Sequence, residues 1–252
     1  MRFFGNLRRK LLGEKKLRKY LVYAAGEIFL VVVGILIALQ INSWNQERQN
    51  EAELRNLLGA FAAENNLNHK VLKESIEDCK HVRSALYGLL TKMGPDYLQQ
   101  SRREVDSLFF EGLSVTLYNP NTASYKNLIG SGRLKYIEND SLHDMLLEWD
   151  SKLVHLNNAE AILFDTFKNI ILPHFFDKIS LVGLDRQFAS GYESRPPSAF
   201  NFDNRQALSS MTTENILEDH YYNMEKLEKE YKRLYADFKR INSLISMELK
   251  SE

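Results

Sequence analysis

The sequence predicts an all-α protein: one N-terminal transmembrane helix, then an extracytoplasmic antiparallel helical bundle of three long helices with shorter ones between them. Three observations carry that prediction. Residues 21–41 form one nearly uninterrupted apolar run, a strongly basic segment precedes it, and three later segments each repeat apolar residues in alternating steps of four and three. Stripes of that kind over four or more heptads belong to helices packed at shallow angles, not to strands.

The basic segment comes first. Residues 1–19 hold Arg2, Arg8, Arg9, Lys10, Lys15, Lys16, Arg18 and Lys19 against Glu14, a balance of +7, so in a chain of zero net charge the remainder carries −7. Such a split points to a membrane or to nucleic acid, and the apolar run that follows decides for the membrane surface and against nucleic acid. Phe3, Phe4, Leu7 and Leu11 share a helical face with Arg8, Arg9 and Lys10 off it, which fits either an amphipathic helix on an anionic leaflet or a plain basic tail. The Arg8-Arg9 pair reads as positive-inside charge and not as an export signal.

The span itself is taken as residues 20–42. Within it the 21 apolar-rich residues 21–41 rise about 31 Å as a helix, the thickness of a bilayer core. Tyr20 and Tyr23 mark one interface and Trp44 the other. Basic residues before the span and mixed charge after it place the N-terminus in the cytoplasm and residues 43–252 in the periplasm, with the inner membrane as the expected location. The run ends in Gln40-Ile41-Asn42 without a small-x-small site, so an uncleaved anchor is expected.

Glu27 is the one charge inside the span. A carboxylate about 10 Å inside costs a few kcal/mol unless protonated or paired. Two readings fit: the side chain snorkels toward Lys19, or it makes an intramembrane contact. Gly34 and Ala38, a small-xxx-small pair, favour close approach of another helix, by self-association or by docking to a second membrane protein.

The first stripe runs Leu54, Leu58, Phe61, Asn65, Asn68, Leu72, Ser75, Cys79, Val82, Leu86, Leu89 and Met93. No Pro separates it from the span, so a continuous stalk is expected. The second runs Leu142, Leu146, Trp149, Leu153, Leu156, Glu160, Leu163, Phe167 and Ile170, with Asp140 as the cap and Pro173 as the stop. The third runs Leu217, His220, Met224, Leu227, Tyr231, Leu234, Phe238, Ile241 and Ile245, with Thr212 or Thr213 as its cap. Between the first two lie a short helix around Arg102–Gly112, the turn Asn119-Pro120-Asn121-Thr122, a helical turn through Tyr125 and Leu128, and Gly130-Ser131-Gly132, which reads as a helix C-cap rather than a phosphate cradle. Residues 181–206 read as one long loop whose aromatics Phe188, Tyr192, Phe200 and Phe202 pack over the bundle or grip a partner.

Five stripe positions are polar: Asn65, Asn68, Ser75, Glu160 and His220. They either fix helix register or line a ligand cavity. Single Cys79 excludes an intrachain disulfide and reads as a core residue. The six histidines lack metal spacing; Asp78-x-x-His81 has no second copy, and there is no His-Glu-x-x-His, nucleophile elbow or Walker loop. No catalytic residue, metal or cofactor is expected, and no enzymatic role.

The chain resembles a family of single-pass membrane proteins of Gram-negative bacteria known only as a domain of unknown function. The resemblance lies in Lys19-Tyr20-Leu21, Gly26-Glu27-Ile28, the run Val32 to Asn42, and Trp44-Asn45, and continues in Pro120-Asn121-Thr122, Tyr125, Leu128, Ser131-Gly132 and Leu134. Ser43 and Gln46 depart from the asparagine and glutamate that similar proteins favour. The resemblance implies residence in the cell envelope and supplies no activity. Two expectations follow: a non-enzymatic envelope protein, scaffold or accessory subunit binding a protein partner, or an extracytoplasmic sensor of a small ligand. Nineteen residues ahead of the span hold no output domain, so a sensor would signal through a separate membrane partner.

Overall fold

The computed structural model describes residues 16–192 and 194–250, with side chains from Leu21 onward. The readings of Phe3, Phe4, Leu7, Leu11 and the Arg8-Arg9 pair lie outside the described residues. All regular structure among the described residues is helical: α1 Lys16–Leu90, α2 Arg102–Gly112, α3 Ala123–Gly130, α4 Asp140–Thr166, α5 Leu172–Phe175, α6 Leu181–Phe188 and α7 Met211–Glu248. Short 3-10 turns stand at Tyr97–Gln99, Leu134–Tyr136 and Asn204–Ser209. The chain divides into two compact units, Met1–Asn56 and Leu57–Glu252.

In the first unit, α1 is long and apolar enough to cross a membrane by length and composition. None of residues 21–41 is buried within the chain. Trp44 is exposed, with the Arg48 guanidinium 5.5 Å from its ring.

The second unit is built on the three striped helices, and their hydrogen bonds fix the register. Along α1 and α7, Asn65 bonds Asn242, Arg83 bonds Glu228, and the Gly94 N–H just past α1 donates to the Leu208 carbonyl ahead of α7. Numbers rise on one helix as they fall on the other, so the pair is antiparallel. Lys152 with Asp237, Glu160 with Tyr231 and His174 with Thr213 set α4, and α5 after it, against α7 in the same way. Helices α1 and α4 therefore run in the same direction, which requires the chain between them to travel back along the bundle. It does so in stages. Helix α2 lies on the end of α1, close enough that a Cβ on Gly88 would meet the Leu108 side chain at 2.9 Å. Residues 113–122 then return without regular structure to the level of Asn68 and Glu64, where α3 begins.

The stripes form the core. Leu58, Leu72, Leu86, Leu89, Leu142, Leu146, Leu217, Met224, Tyr231, Phe238 and Ile241 are all fully buried, and Trp149 meets Phe238 edge to face at 4.9 Å. Four sequence expectations shift. Pro173 does not end the second helical run: a π-helical stretch, Phe167–Ile171, follows α4 and leads directly into α5, with Pro173 in its first turn. That stretch inserts an extra residue, so Ile171 is buried while Ile170, the stripe's expected member, is 56% exposed. The caps fall earlier than expected: Asn139, not Asp140, accepts from Leu142 N–H at 3.0 Å, and Ser210, not Thr212 or Thr213, caps α7. In both cases the β-region residue just ahead of the first helical one takes the role. Residues 181–206 are not a single loop, because Ser180 caps a two-turn helix, Leu181–Phe188, through its bond from Gly183 N–H at 3.1 Å. Gly132, φ +68, follows α3 as expected of a C-terminal glycine.

Candidate functional site

An irregular segment packed against helices brings backbone groups that no helix ladder satisfies, and those turned away from water must find a partner. Residues 118–125 pose that problem here, and the polar stripe residues answer it. Asn68 clasps Asn121 with both ends of its amide: Nδ2 donates to the Asn121 carbonyl at 2.6 Å, and Oδ1 accepts from the Asn121 N–H at 2.9 Å. The Glu160 carboxylate accepts from the Tyr118 N–H at 2.8 Å and from the Tyr231 hydroxyl. Tyr118 in turn donates its hydroxyl to the Asn68 carbonyl at 3.3 Å, and Tyr125 donates to that of Leu146 at 3.1 Å.

Glu64, which the stripe pattern does not single out, completes the clasp. Thr122 makes no side-chain cap bond to α3, and the Glu64 carboxylate takes its place, accepting from the Ser124 N–H at 2.8 Å and the Tyr125 N–H at 3.3 Å. A carboxylate at a helix N-terminus satisfies orphan donors and meets the positive end of the dipole. Its partners lie about sixty positions away, so no local motif announces it.

The remaining expected residues have separate surroundings. Asn65 donates to Asn242 Oδ1 at 3.4 Å, and its own Oδ1 has no partner. Ser75 donates back to the Val71 carbonyl at 3.2 Å. His220 is completely buried; its ring nitrogens face the Gly112 and Ser114 backbone without forming a hydrogen bond of ordinary geometry, and burial holds its pKa down at about 4. The five polar stripe positions are thus all in the core, but only Asn68 and Glu160 act together.

The electrostatics are those of a fastened interior. Burial pushes Glu160 up against the opposing bonds from Tyr231 and Tyr118. Burial pushes the Cys79 thiol up to about 12, leaving it protonated and unreactive. Burial acts to raise Glu228 as well, but its bonds from Lys232 and Arg83, both at 2.5 Å, outweigh that and hold it below the usual carboxylate range. Among the described residues, no three His, Cys, Asp or Glu side chains could hold a metal ion together.

The aromatics of residues 181–206 are dispersed. Phe188 packs on Phe110 at 5.6 Å, Tyr192 lies under the Arg195 guanidinium at 4.0 Å, Phe202 is half-buried, and Phe200 is 80% exposed. The base of this region is held by Arg205, which pairs with Asp203 at 2.7 Å and donates to the Leu98 and Gln100 carbonyls. Sequence reasoning missed Asp106 and Asn204, both buried and bonded at 2.7 Å. On α1, Glu27 and Ala38 are exposed, and a Cβ on Gly34 would meet nothing within 4 Å.

One stability prediction follows from the clasp. Asn68→Ala removes both bonds to the backbone of Asn121, which is open to water, and should cost about 1 kcal/mol in chemical denaturation. Hydrogen exchange in 115–125 should accelerate in the alanine variant; unchanged exchange there would mean the clasp does not hold the segment.

No curated protein and no solved structure matches the chain. Residues 27–152, 126 of 252, match the Family of unknown function (DUF6090), and that stretch runs from the acidic residue of the apolar helix through the clasped segment into α4. The chain belongs to this family.

Proposed function

We propose that the protein is a non-enzymatic accessory or scaffold subunit, anchored once in the inner membrane, that binds a protein partner through its anchor. The N-terminus lies in the cytoplasm, held by the eight basic residues ahead of the span, and the folded domain lies in the periplasm. The observation that carries the reading is the face of α1 bearing Glu27, Gly34 and Ala38, which follow one another at steps of seven and four. A carboxyl group in hydrocarbon is costly unless it shares a hydrogen bond, and an open glycine seven residues on lets a neighbouring backbone approach. That neighbour is another membrane helix, from a second copy or a different protein. The clasp residues support the non-enzymatic reading, because Glu64, Asn68 and Glu160 are occupied in holding the fold.

Replacing Glu27 with Leu, or Gly34 with Leu, should shrink the complex recovered after in-membrane crosslinking and mild detergent extraction, and Glu27→Gln should retain part of it. A complex of unchanged size and stability in all three variants would reject the proposal.

A further inference from the structure

Helices α1, α2 and α6, with residues 113–116 of the returning segment, border a cleft of about 430 Å³. That volume lies within the range of small-molecule sites. Its floor is apolar: Val82, Phe109 and Leu184 line it and are all buried. Its rim is acidic. Asp78 comes from α1, Glu111 from the end of α2 and Asp185 from α6, so three elements each bring one carboxylate to the same opening. Asp78 and Asp185 are half-buried, and Glu111 takes a neutral bond, from Ser107 Oγ at 3.0 Å. No Lys or Arg lines the cleft. The cations nearest to Asp78 in the chain are engaged elsewhere, Lys80 with Glu77 and Arg83 with Glu228 and Tyr221. Arg186, beside Asp185 on α6, is not part of the wall.

Carboxylates on a solvated edge would carry no such meaning. A recess with low-dielectric walls and charge of one sign focuses the field and concentrates ions of the other. A metal ion does not answer that field: among the described residues no three His, Cys, Asp or Glu side chains, those of this rim and His81 beside them included, could hold one together. Carboxylates that ring an apolar floor without converging suit a ligand whose own positive charges are separated by hydrocarbon. We propose that the cleft binds an aliphatic polyamine, its ammonium groups on Asp78, Glu111 and Asp185 and its methylenes on Val82, Phe109 and Leu184. The Ser114 and Thr116 hydroxyls in the wall add neutral acceptors for the remaining N–H donors. This site is independent of the anchor face and stands or falls separately from it.

The test is calorimetry on the full-length protein in phosphatidylcholine nanodiscs, with the signal of empty nanodiscs subtracted. Spermidine is the probe, beside n-butylamine, which keeps an alkyl chain with a single charge, and magnesium, which has charge without a chain. Spermidine should bind saturably at millimolar concentration or below, and the other two at least about tenfold more weakly. Asp78→Asn, Glu111→Gln and Asp185→Asn, none at a fully buried position, should each weaken spermidine by about threefold and together by more than tenfold. Glu148→Gln, the same loss of charge at an exposed site on α4, should leave binding unchanged. Melting temperatures of the variants show that each is folded when it is titrated. Absence of saturable binding by spermidine, binding of magnesium or n-butylamine as tight as that of spermidine, or an equal loss from Glu148→Gln would each overturn the proposal.

Discussion

Glu160→Ala is expected to lower the stability of the folded domain by about 3 kcal/mol, a fall of roughly 10 °C in melting temperature for a domain of this size. The carboxylate is 6% exposed and is the acceptor for two buried donors, the Tyr118 N–H and the Tyr231 hydroxyl. After its removal the Tyr118 N–H retains the Tyr231 oxygen at 3.1 Å, so the loss falls mainly on the Tyr231 hydroxyl proton and on the space left in the core. Glu160→Gln keeps a carbonyl acceptor and sheds a desolvated charge, so it should cost only about 1 kcal/mol. Tyr231→Phe removes one donor but leaves Glu160 bonded to Tyr118, and should rank between the two. Thermal denaturation of the four proteins reads that order directly. If the alanine variant were as stable as the glutamine variant, Glu160 would not be the acceptor on which the returning segment depends.

The reason such a carboxylate sits in a heptad stripe is topological, and this is where sequence reading reached its limit. The stripes were legible because each buried position recurs every three or four residues, and every member of the third stripe is indeed buried. Asn68 and Glu160 were legible as exceptions within that pattern. Their purpose was not, because it depends on α1 and α4 running parallel, which forces residues 113–122 to return along the bundle with Tyr118 turned into its core. Glu64, Glu228 and Asp106 carry no local signal, since their partners lie 60, 145 and 98 positions away. The π-helical insertion at Phe167–Ile171 leaves no mark on periodicity that can be distinguished from the end of a stripe, so Ile170 was assigned to the core in place of Ile171. The helix hidden in 181–206 is only two turns long, too short for a periodic signal, and its Ser180 cap was the one local sign of it.

His220 should make the domain acid-sensitive well above the carboxylate range. Its pKa in the folded chain is about 4 against an ordinary 6.5, because burial penalises the imidazolium. Between those values the unfolded chain takes up a proton that the folded chain refuses, so stability falls as pH falls from about 6.5 and the loss is complete near pH 4. The size of the effect is about 2 kcal/mol at pH 5 and about 3 kcal/mol at pH 4. His69 and His174, also shifted down by burial, add to the same slope, whereas Glu160, shifted up, opposes it nearer the carboxylate range. Comparison with His220→Leu between pH 7 and 5 therefore isolates the ring. At pH 7 the variant should be close to wild type or more stable, since both ring nitrogens are buried without partners and their loss removes a desolvation cost. At pH 5 it should exceed wild type by about 2 kcal/mol more than at pH 7. Parallel pH profiles for the two proteins would mean that the folded chain accommodates the imidazolium, and that the Gly112 and Ser114 carbonyls move to receive its protons.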